Sequence, residues 1–212
     1  MDPQIFLTLL VTFGVILLSM TLHEAMHAFV AFWLGDDTAR VEGRLTLNPL
    51  KHIDPFLSVI LPLTLALVGA PIFGGAKPVP FRPDRVKGEE WGAALVALGG
   101  PLTNLLLAFI SYGVWVLVGT PTEGMAGLIF SSLVMVNLGF FVFNILPIPP
   151  LDGSRVIYAL APDFVRTAMR VIEQYGIALV FILVLVAGPL LGTYMLEVIQ
   201  WFLNAFDVVF SL

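Results

Sequence analysis

Long apolar runs constrain this chain more than any other feature. They cover about residues 5–34, 56–73, 91–118, 125–147, 171–188 and 190–212. A helix needs roughly 20 apolar residues to cross the hydrocarbon core of a bilayer, and each run approaches or exceeds that length. With 58% hydrophobic and only 12% charged residues, a chain of 212 residues lacks the polar surface of a soluble domain. The expected fold is an all-α polytopic membrane protein with about five to six membrane segments, forming a single domain over residues 1–212. Its surroundings are the lipid bilayer. No basic stripe suited to nucleic acid is present. The absence of cysteine removes disulfides and thiolate chemistry together.

All ten Lys and Arg residues fall in three segments: Arg40, Arg44 and Lys51; Lys77, Arg82, Arg85 and Lys87; and Arg155, Arg166 and Arg170. The positive-inside rule places all three in the cytoplasm. This requires 56–73, the shortest run and one carrying Pro62 and Pro71, to be re-entrant and leave on the side it entered. Between the first two runs, Arg40–Leu47 (RVEGRLTL) partly alternates polar with apolar residues and predicts a small cytoplasmic β element. That element is either a cap or an edge on which an extended substrate pairs. Lys77–Pro83 must be extended, because its prolines fix φ and disfavour helix at the residues before them. Trp33 and Trp91, at the ends of their runs, read as interfacial anchors.

The chemistry concentrates in His23-Glu24-Ala25-Met26-His27. Residues four apart share a helix face about 6 Å apart along the axis. Two imidazoles at that spacing converge on one Zn²⁺, and Glu24 between them is placed to accept a proton from an attacking water. An ionisable cluster inside an apolar run is costly and points to function. A catalytic zinc takes three protein ligands and keeps one position open. Candidates for the third are His52, Asp54 and Asp152, with Asp152 the best placed. There the run ends at Asn144-Ile145-Leu146-Pro147-Ile148-Pro149-Pro150-Leu151-Asp152-Gly153, a proline-rich break that cannot continue as regular helix. Unwound backbone at membrane depth persists only where it is buried in protein or lines a wet cavity. The competing role for Asp152 is a helix cap, and for His52 and Asp54 a turn bonded to its own backbone. Asn104, in Gly99-Gly100-Pro101-Leu102-Thr103-Asn104, reads equally as a donor facing the active site or as a packing amide between helices. Asn144 leans towards function, because it opens the segment that ends in Asp152.

HEAMH in the first run and NILPIPPLDG after a later one resemble the site-2 protease family of intramembrane zinc metalloproteases. GRLTLNPLKHIDP, GGAKPVPF and GGPLTN between them resemble a short prokaryotic branch of it, and the likeness covers nearly the whole chain. The resemblance implies one zinc ion held by His23, His27 and Asp152, with Glu24 as general base and Asn144 holding the substrate backbone. It implies a membrane-anchored protein substrate, in better-studied branches often an anti-sigma factor or a transcription-factor precursor. It also implies a multi-pass protein of a prokaryotic cell membrane, with the active site toward the cytoplasm. No PDZ or CBS domain is expected within these residues. A membrane zinc transporter or sensor without hydrolytic activity is the alternative, but it gives Glu24 no special place.

Overall fold

The computed structural model describes residues 2–67 and 74–210. Backbone in lipid must satisfy its own hydrogen bonds, and the described apolar runs are accordingly helical. In chain order the helices are α1 (Pro3–Trp33), α2 (Thr38–Val41), α3 (Leu61–Leu67), α4 (Glu89–Leu117), α5 (Gly124–Asn144), α6 (Gly153–Leu160), α7 (Asp163–Glu173) and α8 (Gly176–Phe210). A π-helical stretch, Pro55–Ile60, leads into α3. Four helical stretches, Pro3–Trp33, Glu89–Leu117, Gly124–Asn144 and Ala178–Phe210, are long and apolar enough to cross a membrane. Local chemistry fixes where α1 begins: Pro3 needs no N–H partner, and Asp2 accepts from the Gln4 amide at 2.9 Å.

Contacts across the bundle give its topology. His23 meets Asn104 and His27 meets Val96, so α1 and α4 run in opposite directions. Thr12 faces Ser132 while Asn104 faces Asn137, which sets α5 parallel to α1. Val180 packs on Leu146 and Leu151 near the start of α8, and Phe206 packs with Ala108 near its end, so α8 follows α4. The Tyr112 hydroxyl donates to Asp207 across that last pair. Because the four long helices alternate, the described residues of segments 34–88 and 145–175 lie at one end of the bundle. Those segments hold all ten Lys and Arg residues. Trp33 and Trp91 are exposed at that same end. The apolar core of Ala108, Val134, Leu138, Phe141, Val142, Ile199 and Phe206 sits between α4, α5 and α8.

Two expectations change in the structure. The β element over Arg40–Leu47 does not form, and there is no strand among the described residues. Residues 38–41 close a helical turn instead, Gly43 turns the chain at φ +66°, and the Arg44 amide returns to the Ala39 carbonyl at 2.7 Å. These local bonds consume groups that a strand edge would present for pairing. The runs 171–188 and 190–212 are not two segments: α8 continues through Pro189. Proline deletes one N–H, whereas ending a helix in lipid strands several backbone groups. The residues before Gly176 form α7, which carries Arg166 and Arg170 on an otherwise amphipathic helix. The apolar excursion after Asp54 leaves and returns at one place. Ser58 Oγ donates to the Gly75 carbonyl at 2.6 Å, and the Gly75 amide donates to the Leu57 carbonyl at 3.1 Å. The 68–73 portion of the expected re-entrant run lies outside the described residues.

Candidate metal centre

Helical spacing puts His23 and His27 on the α1 face that packs against α4, where both side chains are buried. Their Nε2 atoms are 3.0 Å apart, and Asp152 Oδ2 lies 3.2 Å from the first and 3.5 Å from the second. Asp152 reaches them from the break between α5 and α6. Although it stands at the N-cap position of α6, it makes no capping bond. Its neighbour explains the Asp-Gly pair, because a Cβ on Gly153 would lie 2.0 Å from the Ile145 carbonyl oxygen. Only glycine lets the start of α6 press against the end of α5 and turn Asp152 inward.

α4 makes room for this cluster. A Cβ on Gly100 would lie 2.5 Å from Nε2 of both histidines, and one on Gly99 would lie 3.0 Å from Val30 Cγ2. Pro101 follows, offering no N–H to the Ala97 carbonyl one turn back. The GGP sequence thus gives α1 a close approach and leaves open space at the two ring nitrogens.

The hydrogen bonds bear on what that space suits. His27 Nδ1 lies 2.7 Å from the Val96 carbonyl oxygen, which can only accept, so Nδ1 carries the proton. His23 Nδ1 lies 2.5 Å from Asn104 Oδ1 and likewise donates. A neutral ring with its proton on Nδ1 turns its Nε2 lone pair toward the other histidine and toward a carboxylate oxygen. Three acceptors within 3.5 Å cannot bond one another. They do fit a cation: tetrahedral zinc with bonds of about 2.0–2.1 Å needs donors about 3.3–3.4 Å apart. The donor set of two imidazoles and one carboxylate matches a catalytic zinc site. Among the described residues, His23, His27 and Asp152 form the one such group of three or more His, Cys, Asp and Glu side chains.

Glu24, half-buried beside the histidines, accepts from the Val79 amide at 3.0 Å. Val79 belongs to the proline-held segment that begins near Lys77, and that segment is strapped down on several sides. Arg44 Nη2 donates to the Lys77 carbonyl at 2.5 Å, and the Lys77 amide donates to the His52 carbonyl at 2.9 Å. Asp36 accepts from the Arg82 amide at 2.6 Å. Burial works against the Asp36 charge, but donors from Thr38 and Arg82 and the nearby Arg85 cation together hold its carboxyl below the ordinary range.

The remaining candidates lie apart from the metal cluster or meet it differently. His52 Nε2 donates to the Thr46 carbonyl at 2.8 Å, and Asp54 accepts from the amides of Phe56 and Leu57. Both build the turn that the bland expectation described. Asn104 is 0% exposed, with its Oδ1 on His23 Nδ1 and its Nδ2 2.8 Å from Asn137 Oδ1. Asn144 donates its amide to the Phe140 carbonyl at 3.0 Å. Sequence reasoning missed Asn137, Gly100 and Val79. Asn137 alone left a signal, a lone amide two helical turns before Asn144 in an apolar run.

Known proteins bear on this cluster. The protein named "Putative zinc metalloprotease YwhC" from Bacillus subtilis (strain 168) is 42% identical over 203 residues, which cover 92% of this chain and 84% of that protein. The chain belongs to the site-2 protease family. Rip2 of Mycolicibacterium smegmatis, which bears the same zinc metalloprotease title, is 34% identical over 191 residues, covering 89% of this chain and 71% of its own. Rip2 of Mycobacterium tuberculosis (strain H37Rv) is 35% identical over 191 residues, covering 87% and 70%. No family model and no solved structure matches the chain.

Proposed function

We propose that this protein is an intramembrane zinc metalloendopeptidase that hydrolyses peptide bonds in or near transmembrane segments of membrane-anchored proteins. The observation that carries the proposal is the meeting of His23, His27 and Asp152 around a space that suits a cation, directly beside Glu24. The names of the relatives support the zinc and the peptide bond. The four long apolar helices support the bilayer setting, and the ten cations gathered at one end support a plasma-membrane orientation with the site toward the cytoplasm.

His23, His27 and Asp152 would hold one zinc ion. The chemistry it supplies when bound is Lewis acidity toward water and toward the scissile carbonyl. Glu24 accepts the proton of the attacking water and returns it to the leaving amine nitrogen. The Val79 amide holds one Glu24 oxygen, which fixes the carboxylate while the other oxygen exchanges the proton. Burial of both histidines between α1 and α4 keeps most of their surface from solvent. Asn144, at the end of α5, is proposed to hold the backbone of the substrate. A helical substrate must unwind locally before its carbonyl can be attacked, which favours sites near Pro, Gly or Asn.

The test uses the purified full chain in proteoliposomes with a panel of transmembrane peptides. New termini form with wild type and vanish on chelation. Glu24→Gln keeps its zinc and loses cleavage. Wild-type cleavage by Glu24→Gln would overturn the base role, and zinc flux without cleavage would favour transport.

A further inference from the structure

The two histidines are held by unlike partners. His27 Nδ1 faces a backbone carbonyl, that of Val96, which has no other way to present itself. His23 Nδ1 faces a side-chain amide, that of Asn104, and an amide can turn either its oxygen or its NH₂ toward a neighbour. If the NH₂ faced the ring, His23 Nδ1 would have to accept. Its proton would then sit on Nε2, where it would block the metal.

The surroundings remove that freedom. Asn104 Nδ2 lies 2.8 Å from Asn137 Oδ1 and 3.5 Å from the Ser19 carbonyl oxygen. Asn137 Nδ2 in turn donates to the Leu133 carbonyl at 2.8 Å, one turn back in α5. A backbone carbonyl only accepts, so Asn137 must give it NH₂ and show its oxygen to Asn104. Asn104 must answer with NH₂ and show its own oxygen to His23. His23 must answer with Nδ1–H. Both asparagines are 0% exposed, so no water substitutes for a misplaced end.

We propose that Asn137 and Asn104 are positioning residues, a relay from the Leu133 carbonyl that fixes the Nδ1–H tautomer of His23 and turns its Nε2 lone pair to the metal. The proposal rests on the metal site set out above. It adds that α5, which supplies no ligand, sets the affinity of one. Which nitrogen of a histidine binds metal is set by the bond the other makes, and loss of such an outer partner costs about 10–100-fold in metal affinity. A packing role for the same amides would predict something different, because packing depends on volume and helix contact rather than on which end of the amide faces the ring.

The experiment measures zinc affinity of the purified full chain by competition with a chromophoric chelator. It also reads the His23 tautomer from imidazole ¹⁵N shifts in the metal-free protein at a pH where the rings are neutral. Asn104→Ala should lose about 10–100-fold in affinity, and Asn137→Leu should lose about tenfold and mix the two tautomers. Asn104→Asp still accepts from His23 with either oxygen and needs nothing upstream to orient it, but it sets a carboxylate oxygen against Asn137 Oδ1 and should bind zinc more weakly than wild type; Asn137→Leu removes that repulsion. In the Asn104→Asp background, adding Asn137→Leu should therefore cost nothing. Equal losses from Asn137→Leu in both backgrounds would overturn the relay in favour of packing. Wild-type affinity and a pure tautomer in Asn137→Leu would overturn it outright. Failure of the underlying site looks different: wild type would bind no zinc that His23→Ala removes.

Discussion

Gly100→Ala isolates the space at the metal centre from everything else in the fold. The added Cβ would lie 2.5 Å from Nε2 of both His23 and His27, against an ordinary contact of 3.4–4 Å. Both rings must therefore withdraw by about 1 Å, whereas metal–ligand distances tolerate about 0.2 Å. They cannot withdraw while Nδ1 of each remains bonded to Asn104 and Val96. Two terms oppose each other in stability: overpacking costs about 1–3 kcal/mol, and replacing glycine by alanine inside a helix returns about 1 kcal/mol. The fold should survive with a small net loss. Zinc affinity should fall at least about 100-fold, the upper end of what losing an outer-shell partner costs and equivalent to about 2.8 kcal/mol. Gly139→Ala is the control, because nothing lies within 4 Å of its added Cβ. Chelator competition on the purified chain, with helicity by circular dichroism, separates binding from folding. A Gly100→Ala protein that binds zinc as wild type does would refute the argument, since the space between the rings would then not be where the ion sits.

Val79→Pro deletes the one N–H that holds Glu24 in a segment already shaped by prolines, so zinc content should stay constant while cleavage drops about 10–100-fold, the worth of a hydrogen bond to a charged group; unchanged turnover would show that Glu24 needs no such hold. Gly153→Ala forces the start of α6 off the Ile145 carbonyl, and both zinc affinity and the free energy of unfolding should fall, the latter by about 1–3 kcal/mol. Asp36→Asn should destabilise by about 1–3 kcal/mol, because the bonds from Thr38 and the Arg82 amide lose a charged acceptor. The Asp36 carboxyl is held below its ordinary value, so its contribution is fully present above about pH 3.9 and disappears as pH falls through the lower folded value. Thermal unfolding of wild type and Asp36→Asn should therefore differ at neutral pH and converge in strong acid; a constant gap would contradict the assigned direction.

The sequence made the His23–His27–Asp152 cluster legible where a local rule had one outcome. His23 and His27 share a face because a helix repeats every 3.6 residues, and Asp152 stands out because a proline-rich break deep in an apolar chain must be enclosed. Elsewhere one pattern served two structures. The partial alternation in RVEGRLTL suits a strand, yet an amide returning from Arg44 to Ala39 closed a turn there first. Gly188-Pro189 reads as a stop, but the lipid environment makes ending a helix costlier than losing one N–H. Asn104 was ambiguous because its role depends on Asn137, 33 residues away, and no local period links an amide in one helix to an amide in the next.

The two halves of the proposed chemistry are supported from opposite sides of the site. The proposed histidine ligands are held from within the bundle, by the Val96 carbonyl and the Asn104–Asn137 pair of α4 and α5. Glu24 is held from the basic end, through Val79 in a strap that Arg44, His52 and Asp36 tie down. Among the described residues no hydrogen bond given to one set is shared with the other, and effects at sites that share no partner and lie well apart add. Asn104→Ala and Val79→Pro should accordingly combine additively in log kcat/KM at saturating zinc. Only Asn104→Ala should change the zinc concentration needed to reach saturation. Strong coupling between the two would mean that the strap reaches the metal by a route other than Glu24, and the division of labour drawn from these contacts would fall.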